Sequence, residues 1–198
     1  MRHLIGTPGA VAGWGIAFAV LLLVSAAMVS LPTSAQSGER IAAFYTAHGE
    51  LIVLQQIVGV AALGAFIAFA LSLRPSRWLR PALWLFAVTE LATNVIPLVM
   101  EASNPRADTA HMLTVAEDIA DSALFIAIAV FVAAATMTQP VWLRVAAYVV
   151  AAACTVRALG SPLGFTALDV VAPLAFVAFV IVLSVKSLVR RQSAAVLS

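Results

Sequence analysis

The sequence predicts an all-α membrane protein: a single polytopic bundle of six transmembrane helices with both termini in the cytoplasm. Hydrophobic residues make up 63% of the 198 residues, charged residues make up 10%, and the mean hydropathy is +1.06. A soluble globular domain is about half apolar and about a quarter charged. The composition therefore argues against a soluble enzyme or a disordered tail. A net charge of only +2, with scattered basic residues, argues against a nucleic-acid partner.

Six apolar segments are long enough to cross a bilayer as helices, which takes about 20 residues each. Prolines, glycines and charged residues separate them, for example Pro140 after the fourth segment and Gly160 after the fifth. We expect helices because an open sheet edge would leave unpaired backbone groups in lipid. The predicted spans are 11–31, 51–73, 78–100, 117–138, 141–159 and 167–188. The stretch 41–49 is expected to prolong the second helix outward or to lie along the membrane surface.

The basic residues predict the orientation, because cytoplasmic loops of membrane proteins carry an excess of Lys and Arg. With the N-terminus inside, eight of the 11 basic residues lie on the cytoplasmic side: Arg2, Arg74, Arg77, Arg80, Arg144, Lys186, Arg190 and Arg191. The three that lie outside are Arg40, Arg106 and Arg157. Abundant Ala, and Arg in place of Lys at all basic positions but one, favour a bacterial source. The expected location is therefore a bacterial plasma membrane.

Polar residues on the third helix form the strongest candidate site. Glu90 is ten residues from both Arg80 and Met100, so it lies roughly 15 Å from either end of the span. A charged group at this depth costs about 3 kcal/mol on insertion scales and usually faces a cavity or a partner. Asn94 follows on the same face. Glu90 is thus a candidate catalytic or binding residue and Asn94 a binding residue. The alternative is a protonated Glu90 that hydrogen-bonds to a neighbouring helix.

The fourth helix carries a second polar face. His111, Asp118 and Asp121 share this face, and Glu117 lies beside it. Asp121 is expected to be slightly submerged, because about 20 residues of helix precede Pro140. All four are candidate binding residues, and Asp121 is also a candidate catalytic residue. The alternative is that these acids stabilise a helix N-terminus capped near Asp108, where the macrodipole favours negative charge.

Two further residues are candidates for binding. Arg157 is the cation placed to neutralise a submerged carboxylate, Asp121 or Asp169, and a structural salt bridge is the simpler interpretation. Asp169 itself resembles the last position of a capping box that begins at Thr166. Gln55 lies near the outer third of the second helix, where interhelical hydrogen bonding is the alternative to ligand binding.

His48 and His111 on separate helices are weak evidence for a metal, so no metal site and no cofactor are predicted.

Three features together resemble a known family. The basic Arg80-Pro81 loop leads into a helix with the central acid Glu90, the fourth helix carries acids within 116–125, and the last helix, within 169–186, has the early Pro173. This layout is similar to a bacterial six-helix membrane family catalogued as a domain of unknown function (number four-three-eight-six). The resemblance implies a fold and no established activity, so it assigns no role to any residue.

Three functions fit this pattern. The first is an outward-opening acidic pocket that binds or passes a small cation, a proton or a polar lipid. The second is an intramembrane acid/base enzyme, an isomerase or cyclase for an isoprenoid or sterol-like lipid. In that case Glu90 is the general acid, and Asp121, Glu117 or His111 accepts the returning proton. The third is an accessory subunit. The expected partners are the lipid bilayer, a cation or lipid ligand, and another membrane protein or a second copy of the chain in a homo-oligomer.

Overall fold

The computed structural model of the chain describes residues 8–73 and 76–195, which form helices and connecting turns with no strand among them. The helices are α1 (Pro8–Met28), α2 (Gly38–Ser72), α3 (Leu79–Ser103), α4 (Ala107–Thr136), α5 (Val141–Gly160) and α6 (Val171–Ala195). A 3₁₀ turn, Ser161–Leu163, follows α5. The prediction of an all-α chain is therefore confirmed for the described residues.

Four of these helices, α2 to α5, are long and apolar enough to cross a membrane, which indicates a membrane protein. The apolar stretches of α1 and α6, Ala12–Met28 and Val171–Ser187, are shorter. Arg2 and Arg74, which contribute to the predicted orientation, lie outside the described residues, as do the side chains of Arg190 and Arg191.

Helices α2 and α4 begin ten or more residues before their predicted spans. Helix α2 begins at Gly38, after the N-cap Ser37, so the expected outward extension through 41–49 is continuous helix. Helix α4 begins at Ala107, ten residues before the predicted membrane span and next to the expected helix start at Asp108, and its N-cap is Arg106. The prediction that Asp108 caps α4 was wrong. Asp108 lies instead in the first turn, where the helix dipole still favours its charge.

The last helix begins later than predicted. Residues 167–170 form a turn in which the amide of Asp169 donates to the carbonyl of Thr166 at 3.0 Å, and α6 begins at Val171. The prediction of a capping box from Thr166 to Asp169 was therefore wrong. The physical reason is that the Asp169 carboxylate interacts with Arg157 rather than with the start of a helix.

Helix packing places the core at the centre of the bundle. Each helix packs against the next along the chain, α6 closes against α1, and α2 also contacts α4. Phe66 of α2 lies fully buried where these contacts converge. Its ring centroid is 4.1 to 6.1 Å from those of Phe18, Phe69, Phe86, Phe131 and Phe176, which come from α1, α2, α3, α4 and α6. This aromatic cluster joins five of the six helices.

A smaller apolar cluster fixes the acid-rich end. It contains Ile41, Tyr45 and Ile52 of α2, Met100 of α3 and Ala110 of α4. The helical extension of α2 thereby packs against the end of α3 and the beginning of α4. These contacts position the polar faces of α3 and α4 relative to each other.

Candidate functional site

Arg157 of α5 holds two carboxylates from different elements. Its Nη1 donates to Oδ2 of Asp121 on α4, and its Nε lies 3.3 Å from Oδ1 of Asp169 in the turn before α6. The guanidinium carbon is 3.9 Å from the centroid of the Phe125 ring. The arginine side chain is only 12% exposed, and the two carboxylates are each about one third exposed. The predicted neutralisation of Asp121 or Asp169 by Arg157 is confirmed, and both acids share the arginine.

Glu90 and Asn94 occupy a buried position on α3 that faces α2. Glu90 is 9% exposed and Asn94 is 4% exposed. The Asn94 amide Nδ2 donates to the backbone carbonyl of Glu90 at 2.7 Å and lies 3.4 Å from its Oε1. Opposite them, a Cβ at Gly59 of α2 would overlap the Asn94 side chain. The glycine therefore makes room for this polar pair, and Asn94 satisfies part of the hydrogen-bonding capacity of Glu90 within the same helix.

The acids of α3 and α4 interact across the contact between these helices. The carboxylate of Glu90 lies within electrostatic range of Asp121, and that of Glu117 lies within range of Asp118 and Asp121; all of these are repulsions between like charges. Asp121 in turn interacts with Asp169. We call Glu90, Glu117, Asp121 and Asp169, together with Arg157, the acidic cluster. Its members come from α3, α4, α5 and the turn before α6.

Two residues beside the acidic cluster, Tyr45 and Glu101, were not among the predicted site residues. Tyr45 of α2 interacts electrostatically with Glu117 and Glu101, and its buried hydroxyl has no hydrogen-bond partner among the described residues. The carboxylate of Glu101, on α3, lies against Gly49 of α2. Tyr45 and Gly49 are four residues apart and therefore share a helix face. That spacing, within a stretch already expected to be helical, was the available signal.

His111 and Asp118 attach a loop to α4. Asp118 Oδ2 accepts a hydrogen bond from the backbone N–H of Ser34 at 2.9 Å, and His111 Nε2 lies 3.1 Å from the Ser34 carbonyl oxygen. Because a carbonyl oxygen only accepts, the Nε2 atom carries the proton in this bond. Ser34 belongs to the connection between α1 and α2. The structure thus gives these two predicted binding residues a role as anchors of that loop.

Gln55 joins α2 to α1. Its side-chain Nε2 donates to the backbone carbonyls of Ser25 and Val29 at 3.0 and 2.9 Å, and the Ser25 hydroxyl donates to the backbone carbonyl of Gln55 at 3.3 Å. The interhelical hydrogen bonding expected as its alternative role is therefore present.

Exposed His48 bonds through Nδ1 to the carbonyl of Phe44 in its own helix. The described residues contain no group of three His, Cys, Asp or Glu side chains arranged to hold a metal ion.

We expect removal of the loop anchors to loosen the α1–α2 connection. In Asp118→Ala the Ser34 amide loses a charged acceptor that contributes about 1.5 kcal/mol, so its hydrogen exchange should become about ten-fold faster. His111→Ala should have a smaller effect, because it frees a carbonyl rather than the exchanging amide. Hydrogen–deuterium exchange of the detergent-solubilised protein measures this. Asp108→Ala, an exposed substitution in the first turn of α4, is the control, and equal exchange in Asp118→Ala and the control would contradict the anchoring role.

The acidic cluster holds more carboxylates than cations. It contains four carboxylates and one guanidinium, and both ion pairs found among the described residues join that guanidinium, Arg157, to Asp121 and Asp169. Glu90 and Glu117 are left as carboxylates whose charge a proton or another cation can balance.

Comparisons with protein-family models, with curated proteins and with solved structures give no match.

Proposed function

We propose that this chain is a multi-pass protein of a bacterial plasma membrane that binds a proton at Glu90 and passes it along the acidic cluster. The observation that carries the proposal is the burial of Glu90 in the middle of α3, while the cluster's one guanidinium is shared by Asp121 and Asp169. The same proposal includes six membrane spans, two cytoplasmic termini and membership of the six-helix family that the sequence resembles.

The surroundings of Glu90 favour a proton over a metal ion. Calcium takes six to eight oxygen ligands, and zinc takes about four ligands of nitrogen, sulfur or oxygen. The Asn94 amide directs its Nδ2 donor toward Glu90, so it offers N–H groups rather than a ligand oxygen at that point. A single enclosed carboxylate beside an amide donor is suited to gain and lose one proton.

The arrangement of carboxylates supports a route for that proton. Glu90 lies within electrostatic range of Asp121 across the α3–α4 contact, and Asp121 lies within electrostatic range of Glu117. Glu117 lies nearer the beginning of α4, where it interacts with Tyr45. Chains of acids in transmembrane helices are a common form of proton relay. In each transfer along this chain, the protonated carboxyl becomes a carboxylate and the receiving carboxylate becomes a carboxyl.

Proton uptake by proteoliposomes tests the proposal. Vesicles containing the purified protein and a pH-sensitive dye are given a potassium diffusion potential with valinomycin. We expect faster acidification than in empty vesicles, and Glu90→Gln should reduce the rate to that of empty vesicles because a glutamine amide does not accept and release a proton in this range. Glu50→Gln, an exposed acid on α2, should retain the wild-type rate.

Infrared difference spectra after a pH step test binding separately from passage. A protonated Glu90 should give a carboxyl C=O band that is absent in Glu90→Gln and present in Glu50→Gln. Wild-type vesicles that acidify no faster than empty ones would overturn the passage of protons. A spectrum left unchanged by Glu90→Gln would overturn proton binding at this residue.

A further inference from the structure

A groove of about 490 Å³ opens between α3, α4 and α5, away from the acidic cluster. It lies where α3 and α5 begin and α4 ends, since its lining includes Trp78, Pro81, Leu85, Val130, Met137 and Tyr148. The lining is almost entirely apolar, and the indole of Trp78 and the phenol of Tyr148 supply its aromatic polar groups. Tryptophan and tyrosine are enriched at the level of lipid head groups, so the groove runs from that level into the apolar region.

We call the end of the groove nearest Trp78 its mouth; three basic residues lie near its lining residues in the sequence. Arg144 lies four residues before Tyr148 and therefore on the same face of α5. Its Nε is buried and has no hydrogen-bond partner in the part of the chain that the structure describes. The Arg77 guanidinium lies 5.2 Å from the centroid of the Trp78 ring, and Arg80 is exposed in the first turn of α3.

The three helices that line the groove, α3, α4 and α5, carry no acidic residue near the end at which the groove lies. Counting from its beginning, α3 has no acidic residue before Glu90. Helix α4 has none after Asp121, and α5 has none at all. The residues beside the mouth are therefore basic, with no acid near this end of the same three helices, and the groove itself is apolar.

We propose that this groove binds an anionic phospholipid, with one acyl chain against Leu85 and Val130 and the phosphate at Arg144 and Arg77. Guanidinium groups bind phosphate oxygens through paired N–H donors, and basic sites between transmembrane helices bind anionic head groups. The charge of the mouth selects an anionic lipid over a zwitterionic one. The site shares no residue with the acidic cluster, so it stands independently of proton binding.

Native mass spectrometry tests the charge requirement. The delipidated protein in detergent is titrated with phosphatidylglycerol or with phosphatidylcholine of the same acyl chains. We expect preferential retention of phosphatidylglycerol. Arg144→Gln should weaken its retention about five-fold or more, the effect of losing one basic contact near the membrane surface. Arg106→Gln, at the beginning of α4 and thus at the other end of the bundle, is the matched control and should retain phosphatidylglycerol as wild type does.

A second variant tests the groove itself. Ala133 lines the groove, so Ala133→Phe should fill it and reduce the retention of phosphatidylglycerol. Ala61→Phe, at an exposed position of α2 outside the groove, is the control for added bulk, and thermal unfolding midpoints verify that all variants fold. Equal retention of the two lipids would overturn the proposal. Phosphatidylglycerol retention that neither Arg144→Gln nor Ala133→Phe reduces would also overturn it.

Discussion

Arg157→Gln is expected to lower the free energy of unfolding by about 2–3 kcal/mol. Removing one partner of a fully buried ion pair costs about 3–5 kcal/mol, because the other charge is left uncompensated. The value here is placed lower because Asp121 and Asp169 are each about one third exposed, and solvent screens part of their charge. Two carboxylates lose their partner at once, and the guanidinium also leaves the face of Phe125. Thermal or denaturant unfolding in detergent measures the loss.

Restoring charge balance separates this effect from lost packing. In the triple variant Arg157→Gln, Asp121→Asn, Asp169→Asn, the uncompensated charges are gone, so most of the lost stability should return. Arg106→Gln, at an exposed position before α4, serves as the matched single substitution and should unfold like wild type. A triple variant no more stable than Arg157→Gln would show that the arginine acts through packing rather than through charge.

Most of the fold follows from simple properties of the sequence. Apolar segments of the length of a bilayer specify the helices. The spans of α2 and α4 were nevertheless too short, because a criterion based on crossing lipid stops where polar residues begin. Gly38–Leu51 and Ala107–Ala116 are helical because they pack against each other and against α3 through Ile41, Met100 and Ala110. That contact between distant segments is not encoded in local hydropathy.

The candidate site was predictable where charge alone decides the partner. Arg157 was the one basic residue placed to reach the submerged acids, so its pairing with Asp121 and Asp169 could be inferred. The partner of Asp118 and His111 could not, because both bind the backbone of Ser34, and backbone groups occur at every residue. A glycine such as Gly59 signals a close helix approach, yet only the structure shows that Asn94 is the residue opposite it.

Phe66→Ala is expected to produce the largest loss of stability, about 3 kcal/mol or more. Burial of this ring is complete, and its contacts reach α1, α3, α4 and α6 as well as its own helix. Replacing a buried phenylalanine by alanine costs about 3–5 kcal/mol in soluble cores, partly from transfer and partly from the cavity left behind. In lipid the transfer part is small, because acyl chains are as apolar as the ring. The expected value therefore lies at the lower end.

Two comparison variants show whether packing is the origin of that loss. Phe66→Leu keeps part of the volume and should lose about half as much, because fewer contacts are removed. Phe165→Ala, which removes the same ring from a position 48% exposed before α6, should change the unfolding free energy by less than about 1 kcal/mol. If Phe66→Ala unfolded no more readily than Phe165→Ala, the cluster around Phe66 would not be what joins the helices. Stability would then have to come from the polar contacts of Gln55 and Arg157, and the Arg157→Gln variant would show the larger loss.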